Sequence, residues 1–304
     1  INGNETSNNN QFYINKNPLN KSYILQKGNA ISDIFSIKAD YEKKLLKEIT
    51  MSLGAKASYV VTDNDFKSFN GTTNLDMVQN FNASNVFKYK EAIFAAYGTV
   101  VKTWKELWTM DLGLRLEQTN AHGISATTDS DFYKSYLNFF PNIGLAYKVA
   151  QKYSWSGSAT RRIDRPNYYQ LNPFQAQTNP FNIHQGNPNL NPQTTDVVSL
   201  TYGLKDKYFF TLSAANTSGL INQVIQQKED VQQQIQTSEN LDNFYNYSFN
   251  INTPFKIKKW WNMNWNALVF YNKMSSNLNW GVVGYEIFSF NINMQQSFSL
   301  PKGF

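Results

Sequence analysis

The 304-residue chain contains no cysteine. That excludes a disulfide framework and thiolate metal sites, and leaves the redox compartment open. Histidine is nearly absent too: His122 and His184 each stand alone in a polar segment, too little for a metal site. No apolar run approaches the ~18 residues that a membrane-crossing helix requires. A membrane-embedded form of this chain would have to cross as strands. Charged residues are only 16% of the chain and the formal net charge is a mild +6. No run of Lys and Arg resembles a nucleic-acid footprint. Glycine-rich phosphate loops, nucleophile elbows and zinc motifs are missing, so nothing points to an enzyme, a metal or a cofactor. The N-terminal INGNETSNNN has neither the basic nor the apolar region of a signal peptide and reads as the start of a mature or excised piece.

Aromatics, by contrast, reach 15%, while Asn, Gln, Ser and Thr bring the mean hydropathy to -0.50. That mixture suits strands with one apolar face and one uncharged polar face. Two-residue alternation is explicit in several places. Phe35, Ile37, Ala39 and Tyr41 share one parity, as do Trp108, Met110, Leu112, Leu114 and Leu116, and again Val198, Leu200, Tyr202 and Leu204. The pattern predicts an all-β antiparallel meander of about 11–12 strands with no amphipathic helix. Residues 1–30, Asn-rich and weakly patterned, read as a polar loop segment, and residues 31–304 as the strand-bearing portion.

Short turns near Lys43, Trp104, Ala150, Asp206 and Lys256 interleave with connections that read as long, near Gly71, Thr127, Phe174 and Ser275; a short turn at Lys228 breaks the rule. Two of the long ones are the polar stretches 62–85 and 120–135. Short turns at one end, long loops at the other and aromatics near strand ends (Tyr59, Trp108, Tyr147, Tyr153, Trp261) describe a transmembrane β-barrel. Segments of about 10 or more alternating residues fit tilted membrane strands better than ordinary sheets. The alternative is a soluble or surface β-rich binding module whose Tyr and Trp stack on glycans. Asp40, Asp111 and Glu117, on the polar parity, read as lumen-facing charges, because no spacing pairs them as an acid and a base.

The runs ATRRIDRPNYYQLNPF, GNPNLNPQTTDVVSLTYGL, INQVIQQ, NTPFKIKKWWNMNWNALVFYN and FSLPKGF carry a further signal, together with IKADYE and GAKASYVVTDNDF upstream. The chain resembles the outer-membrane β-barrel family allied to TonB-dependent receptors of Gram-negative bacteria, over most of residues 31–304. The resemblance implies a barrel of about 22 strands, an N-terminal plug, an energy-coupling box and uptake of a bulky ligand across the outer membrane. Plug, coupling box and signal peptide are not in this sequence, and the family pattern continues past LPKGF, so the chain reads as a middle-to-late barrel portion. Phe304 then reads as a turn residue at a truncation. Expected partners are membrane lipid, the missing plug and remaining strands, and, in the complete receptor, an energy-coupling protein and a surface lipoprotein.

The stretch from Arg161 to Asp196 holds the candidate site. Pro166, Pro173, Pro180, Pro188 and Pro192 argue against any regular element, whereas Tyr168, Tyr169, Phe174 and Phe181 argue for order. The expectation is an ordered loop capping the barrel mouth. Arg161, Arg162 and Arg165 lie close together and Asp164 alone cannot neutralise them, which leaves donors for an anionic group. These arginines with Tyr168, Tyr169 and His184 are the candidate ligand-binding residues. A purely structural pairing of the arginines with other loops or with a plug is the competing reading.

Overall fold

The computed structural model describes residues 4–14, 17–73, 75–149, 152–179, 181–228, 233–278 and 281–299. The strands are β1 (Asn4–Ile14), β2 (Asn17–Leu46), β3 (Ile49–Gly71), β4 (Val78–Trp104), β5 (Trp108–Ser125), β6 (Ser130–Val149) and β7 (Tyr153–Asp164). After a long connection come β10 (Gln193–Leu204), β11 (Tyr208–Lys228), β12 (Gln233–Lys258), β13 (Trp261–Leu278) and β14 (Gly281–Phe298). The connection itself holds α1 (Tyr168–Leu171), β8 (Gln175–Asn179) and β9 (Asn182–Gln185). Every strand of the main path pairs with its sequence neighbour, β1 to β7 and then β10 to β14, as an antiparallel meander requires.

The tight turns gather at one end. In the Trp104–Leu107 turn, Lys105 and Glu106 have φ of 52° and 53°, and in the Leu204–Lys207 turn Lys205 and Asp206 have 55° and 52°. Two consecutive left-handed residues match the right-handed twist of the flanking strands, which is why such turns close two-residue hairpins. Backbone bonds of 2.8 Å then tie turn to turn: Thr103 N to Glu48 O, Lys148 N to Leu107 O, Lys205 N to Lys152 O, and Ser299 N to Trp260 O.

The two faces of the sheet differ as the alternation predicts. One hydrogen-bonded row reads Leu145, Gly157, Leu200, Leu212, Phe249, Val269, Phe290. One residue along each strand, the other face reads Gly144, Ser158, Ser199, Ser213, Ser248, Phe270, Ser289. Leu145, Leu200, Leu212 and Phe290 of the apolar row are exposed, Phe290 to 70%, while Thr119 and Ser125 on the polar face are buried. This inverts the pattern of a water-soluble core. It is the pattern of a barrel wall whose outer face meets lipid. At the turn end the outer face carries a chain of aromatic contacts, Trp104 on Trp108 at 6.2 Å, Trp108 on Tyr147 at 4.5 Å and Tyr147 on Tyr153 at 6.1 Å. Trp260, Trp261 and Phe298 continue it on β13 and β14. An aromatic girdle belongs at a membrane interface.

Several sequence expectations change. Within the segment read as a loop, residues 4–14 and 17–30 are strand: β1 pairs with the first part of β2. The stretch 62–85 is mostly strand, since β3 runs to Gly71 and β4 starts at Val78. Likewise 120–135 reduces to a turn between Ser125 and Ser130, and Ser275 lies within β13. Apart from the connection between β7 and β10, the asymmetry of the described wall therefore resides in strands that overrun the membrane, not in long loops. Beyond the bilayer no lipid demands an apolar outer face, so the two-residue pattern that marks a strand fades. The tip between β3 and β4 is closed by Asp76, which accepts bonds from the backbone and hydroxyl groups of Thr72 and Thr73. These donors hold its carboxyl far below the usual carboxylate range. Ala150, the tip of the Lys228 turn and Phe304 lie outside the described residues. Among the described residues β14 pairs only with β13, and β2 beyond Gly28 only with β3, so the sheet is open between these edges.

Candidate functional site: the strap between β7 and β10

Residues 165–192 form the one extended connection among the described residues, and they contain regular structure that their prolines argued against. Pro166 stops β7 because it offers no ladder donor. Immediately after it, Asn167 and Gln170 form a capping box: Asn167 Oδ1 accepts from Gln170 N at 3.0 Å, and Gln170 Oε1 accepts from Asn167 N at 3.0 Å. That reciprocal pair starts the single turn α1 between two prolines. Asn172 ends it, its N–H donating to Tyr168 O and its Oδ1 accepting from Phe174 N and from Asn85 Nδ2. β8 and β9 pair with each other, and β9 adds in parallel to β12 through Ile183 opposite Ile235.

The Gly186-Asn187-Pro188-Asn189-Leu190 segment then turns back beneath α1. Gly186 N donates to Asn172 O at 3.0 Å and Asn187 N to Gln170 O at 2.6 Å. A Cβ on Gly186 would collide with the Asn172 carbonyl and stand 2.8 Å from Asn172 N and Gln170 O, so the close approach requires glycine. Asn187 Oδ1 accepts from Asn189 N at 2.9 Å, an Asx turn that delivers Leu190 inward.

Leu171 and Leu190 are fully buried against Phe87, Tyr89 and Ala121. Each burial stabilises the strap by about 1.5–3 kcal/mol. Phe87 and Tyr89 lie opposite Ser125 and Gly123, and Ala121 opposite Lys134, all on the polar parity. The strap therefore lies on the lumen face. Lys134 Nζ donates to Leu190 O at 2.5 Å from the β6 side. On the other side Asn240 accepts from Asn191 N at 2.7 Å and donates to Asn191 O at 2.8 Å, and Asn187 Nδ2 donates to Ser238 O at 3.1 Å. The segment thus bridges β4–β6 and β11–β12.

The three arginines, adjacent in sequence, are separated in space. Arg161 and Arg162 belong to β7, not to the loop, so their side chains point to opposite faces. Arg161 is on the outer parity, where Nε and Nη2 reach both oxygens of Asp196, directly opposite on β10, at 2.7 and 2.8 Å. Arg165 Nη2 turns to the lumen and donates to Glu117 Oε2 at 2.6 Å and Thr119 Oγ1 at 3.0 Å. Glu117 also holds Arg115 at 2.5 Å. Arg115 sits 5.1 Å from the Tyr97 ring centre, and the Tyr97 hydroxyl donates to Asp40 at 2.6 Å, which pairs with Lys38 at 2.9 Å. A charged ladder thus runs from β2 to the strap. The expectation that Asp164 stands alone against three cations fails, because Asp196 and Glu117 are supplied by strands distant in sequence. Arg162 is exposed on the lumen parity. Tyr168 packs on the buried cluster. Tyr169 stacks on His184 at 4.4 Å with planes 13° apart. Burial pushes the His184 pKa down and, with Tyr168 alongside, the Tyr169 hydroxyl up. His184 Nε2 is buried without a partner. Glu117 was visible in the sequence as a lumen charge, but its role as the strap's anchor depends on a contact across 48 residues.

The sequence profile of the outer membrane protein beta-barrel family matches residues 1–304. The chain belongs to that family. Among solved structures it is similar to the copper transporter OprC, with a TM-score of 0.58 and 8% identity over 92% of this chain and 50% of that one. It is similar to the ferric yersiniabactin uptake receptor FyuA from Yersinia pestis, with a TM-score of 0.51 and 8% identity over 97% and 50%. For the ferripyoverdine receptor of the outer membrane of Pseudomonas aeruginosa the TM-score is 0.52 and the identity 11% over 97% and 46%. At such identities the likeness establishes the fold alone, a β-barrel wall like those of these outer-membrane proteins. The chain spans about half the length of these receptors. No curated protein matches it. Family membership places this barrel wall in the outer membrane and sets aside the soluble binding module.

Proposed function

We propose that this chain is part of the wall of a non-enzymatic receptor that takes up a ligand across the outer membrane, and that the strap narrows the lumen at the extracellular end. The observation that carries this reading is the burial of Leu171 and Leu190 on the lumen face: a connection that would otherwise spread outward is folded into the path. Orientation follows from the tight turns, which in such barrels lie on the periplasmic side. The open edges at β2 and β14 are completed in this reading by further strands, and a plug, an energy-coupling protein and a surface lipoprotein are the partners proposed for the complete receptor. Arg162, Tyr169 and His184 are the strap-end groups proposed to meet the ligand, with Arg162 supplying charge and the Tyr169–His184 stack an aromatic surface. Arg161, Arg165 and Tyr168 hold the wall and strap in place.

Excision of residues 167–190 from the full-length protein, with a short Gly/Ser linker in their place, tests the reading. Cells carrying the excised form should become sensitive to a bulky hydrophilic antibiotic that the outer membrane excludes. Unchanged resistance, with the barrel folded and present at the surface, would refute the strap's role in the path.

A further inference from the structure

Charge is unevenly spread along the strands. The five tight-turn segments 42–48, 102–106, 148–152, 205–207 and 256–259 hold twelve lysines against four carboxylates, although the whole chain has 28 Lys and Arg against 22 Asp and Glu. The turn end of the wall is therefore strongly cationic and the rest slightly acidic. Two of these lysines are also set into a hollow.

Lys207 and Lys256 both lie on the lumen parity, Lys207 in line with Phe209, Thr211 and Ser213 on β11 and Lys256 in line with Ser248, Asn250 and Asn252 on β12. Phe209 stands opposite Asn252, so Lys207 comes opposite Pro254. Lys256 is then its diagonal neighbour, with Cβ atoms about 7 Å away. Two lumen rows run on from there, Pro254, Asn264, Gln295 and Lys256, Asn262, Ser297. With Lys207 they line a hollow of about 410 Å³ that no Asp or Glu borders. Asp206, the carboxylate nearest in sequence, is taken by Lys148 at 3.2 Å. Neither Lys207 nor Lys256 meets a carboxylate among the described residues.

The wall between the strap and this hollow is neutral. Its lumen rows on β10–β14 read Ser199, Ser213, Ser248, Phe270, Ser289 and Thr201, Thr211, Asn250, Leu268, Asn291. On β2 and β5, by contrast, Asp40, Asp111 and Glu117 face the lumen. An anion that enters past Arg162 meets no like charge on the β10–β14 side before it reaches the two lysines.

We infer that this hollow is an oxyanion site at the periplasmic end of the lumen, where Lys207, Lys256 and the amides of Asn262, Asn264 and Gln295 receive a carboxylate or phosphate group of the ligand. Two ammonium groups this close repel each other, and an oxyanion between them relieves that repulsion while accepting charge-assisted hydrogen bonds. The amides add N–H donors, and their carbonyls can turn away from the anion. The surplus of lysine around the hollow raises the local concentration of anions at this end of the path.

The inference rests on the lumen being the ligand's path, but its test does not use transport. Full-length protein is treated with limiting N-hydroxysuccinimidyl acetate while citrate is added at constant ionic strength, and mass spectrometry reads the acetylation of each lysine. Citrate should slow the reaction at Lys207 and Lys256 and leave Lys47 and Lys105, at the tips of other turns, unchanged. Lys207→Gln should weaken the citrate effect at Lys256 about threefold, the loss of one exposed charge pair. Asn264→Asp, which places a carboxylate in the hollow, should abolish it. Equal slowing at all four lysines, or at none, would overturn the inference. So would acetylation of Lys207 and Lys256 that is already slow without citrate and unmoved by it, which would assign the hollow to a carboxylate of the receptor itself. The response of cells to excision of the strap is read separately, so a failed site and a failed path are told apart.

Discussion

Arg165 and Glu117, 48 residues apart in sequence, meet at 2.6 Å on the lumen face, and through this contact the strap is fastened to β5. Both side chains are largely shielded, at 18% and 10% accessible. Removing Glu117 takes away the carboxylate that Arg165 and Arg115 share and leaves Arg165 the charge of Glu91 alone, and breaking a buried pair from one side costs about 3–5 kcal/mol. Water in the lumen moves the expected effect to the lower end of that range. Glu117→Ala should therefore release the strap while the barrel stays folded, seen as rapid hydrogen exchange and protease cleavage within residues 165–192. Unchanged protection would mean that the apolar contacts alone hold it.

Gly186→Ala should have a comparable local effect for a steric reason. The added methyl meets backbone atoms of Asn172 and Gln170, which cannot move without undoing α1. Gly219→Ala meets nothing nearer than 3.8 Å but is placed at φ 65°, so its cost is backbone strain of about 1 kcal/mol. Thermal unfolding of the two variants, with proteolysis at the strap, should separate them. Gly186→Ala should open the strap and Gly219→Ala should leave it shut.

The strap should loosen in acid. Burial holds the His184 pKa below its ordinary value, so the folded strap binds the proton less readily than the unfolded one. The stability this contributes is present above the unfolded pKa of about 6.5 and is lost as pH falls below it. Protection against hydrogen exchange across residues 175–190, taken relative to the intrinsic amide rate at each pH, should fall between about pH 7 and pH 5, and His184→Phe, which keeps the stack on Tyr169, should abolish that fall. The same acid response in His184→Phe would assign it to another group.

Parity should govern tolerance to charge. Leu200→Arg places a cation on the lipid face near the middle of the belt, where the cost is about 2–4 kcal/mol. Ser199→Arg, one residue away, faces the lumen and should be nearly neutral. Folding into lipid vesicles measures both, and equal penalties would argue against a one-sided lipid contact.

Much of the meander was legible because its signal is local. Val198 to Leu204 and Trp108 to Leu116 alternate cleanly within the belt, and the Lys205-Asp206 turn can join only neighbours. Legibility failed where the physics changed. Residues 62–71 and 120–125 continue as strands above the membrane, where no lipid demands an apolar outer face and the lumen face buries small polar side chains such as Ser68 and Ser125. Within the strap, five prolines hid α1, although Asn167 and Gln170 stand at capping-box spacing in the sequence. The site was read least well because its partners are remote. Nothing near Arg161 announces Asp196 as its mate, and only the β7–β10 register, set by the length of the strap, brings them face to face.

The central claim is that one parity of these strands meets lipid and the other the lumen. The chain has no cysteine, so single cysteines introduced from Val197 to Tyr202 along β10 have no competing thiol within it. Each carries a fluorophore in the full-length protein, reconstituted with lipids bearing a nitroxide on the acyl chain. The account predicts strong quenching at 198, 200 and 202 and weak quenching at 197, 199 and 201. Quenching that is uniform along the strand, or strongest at the odd positions, would contradict it.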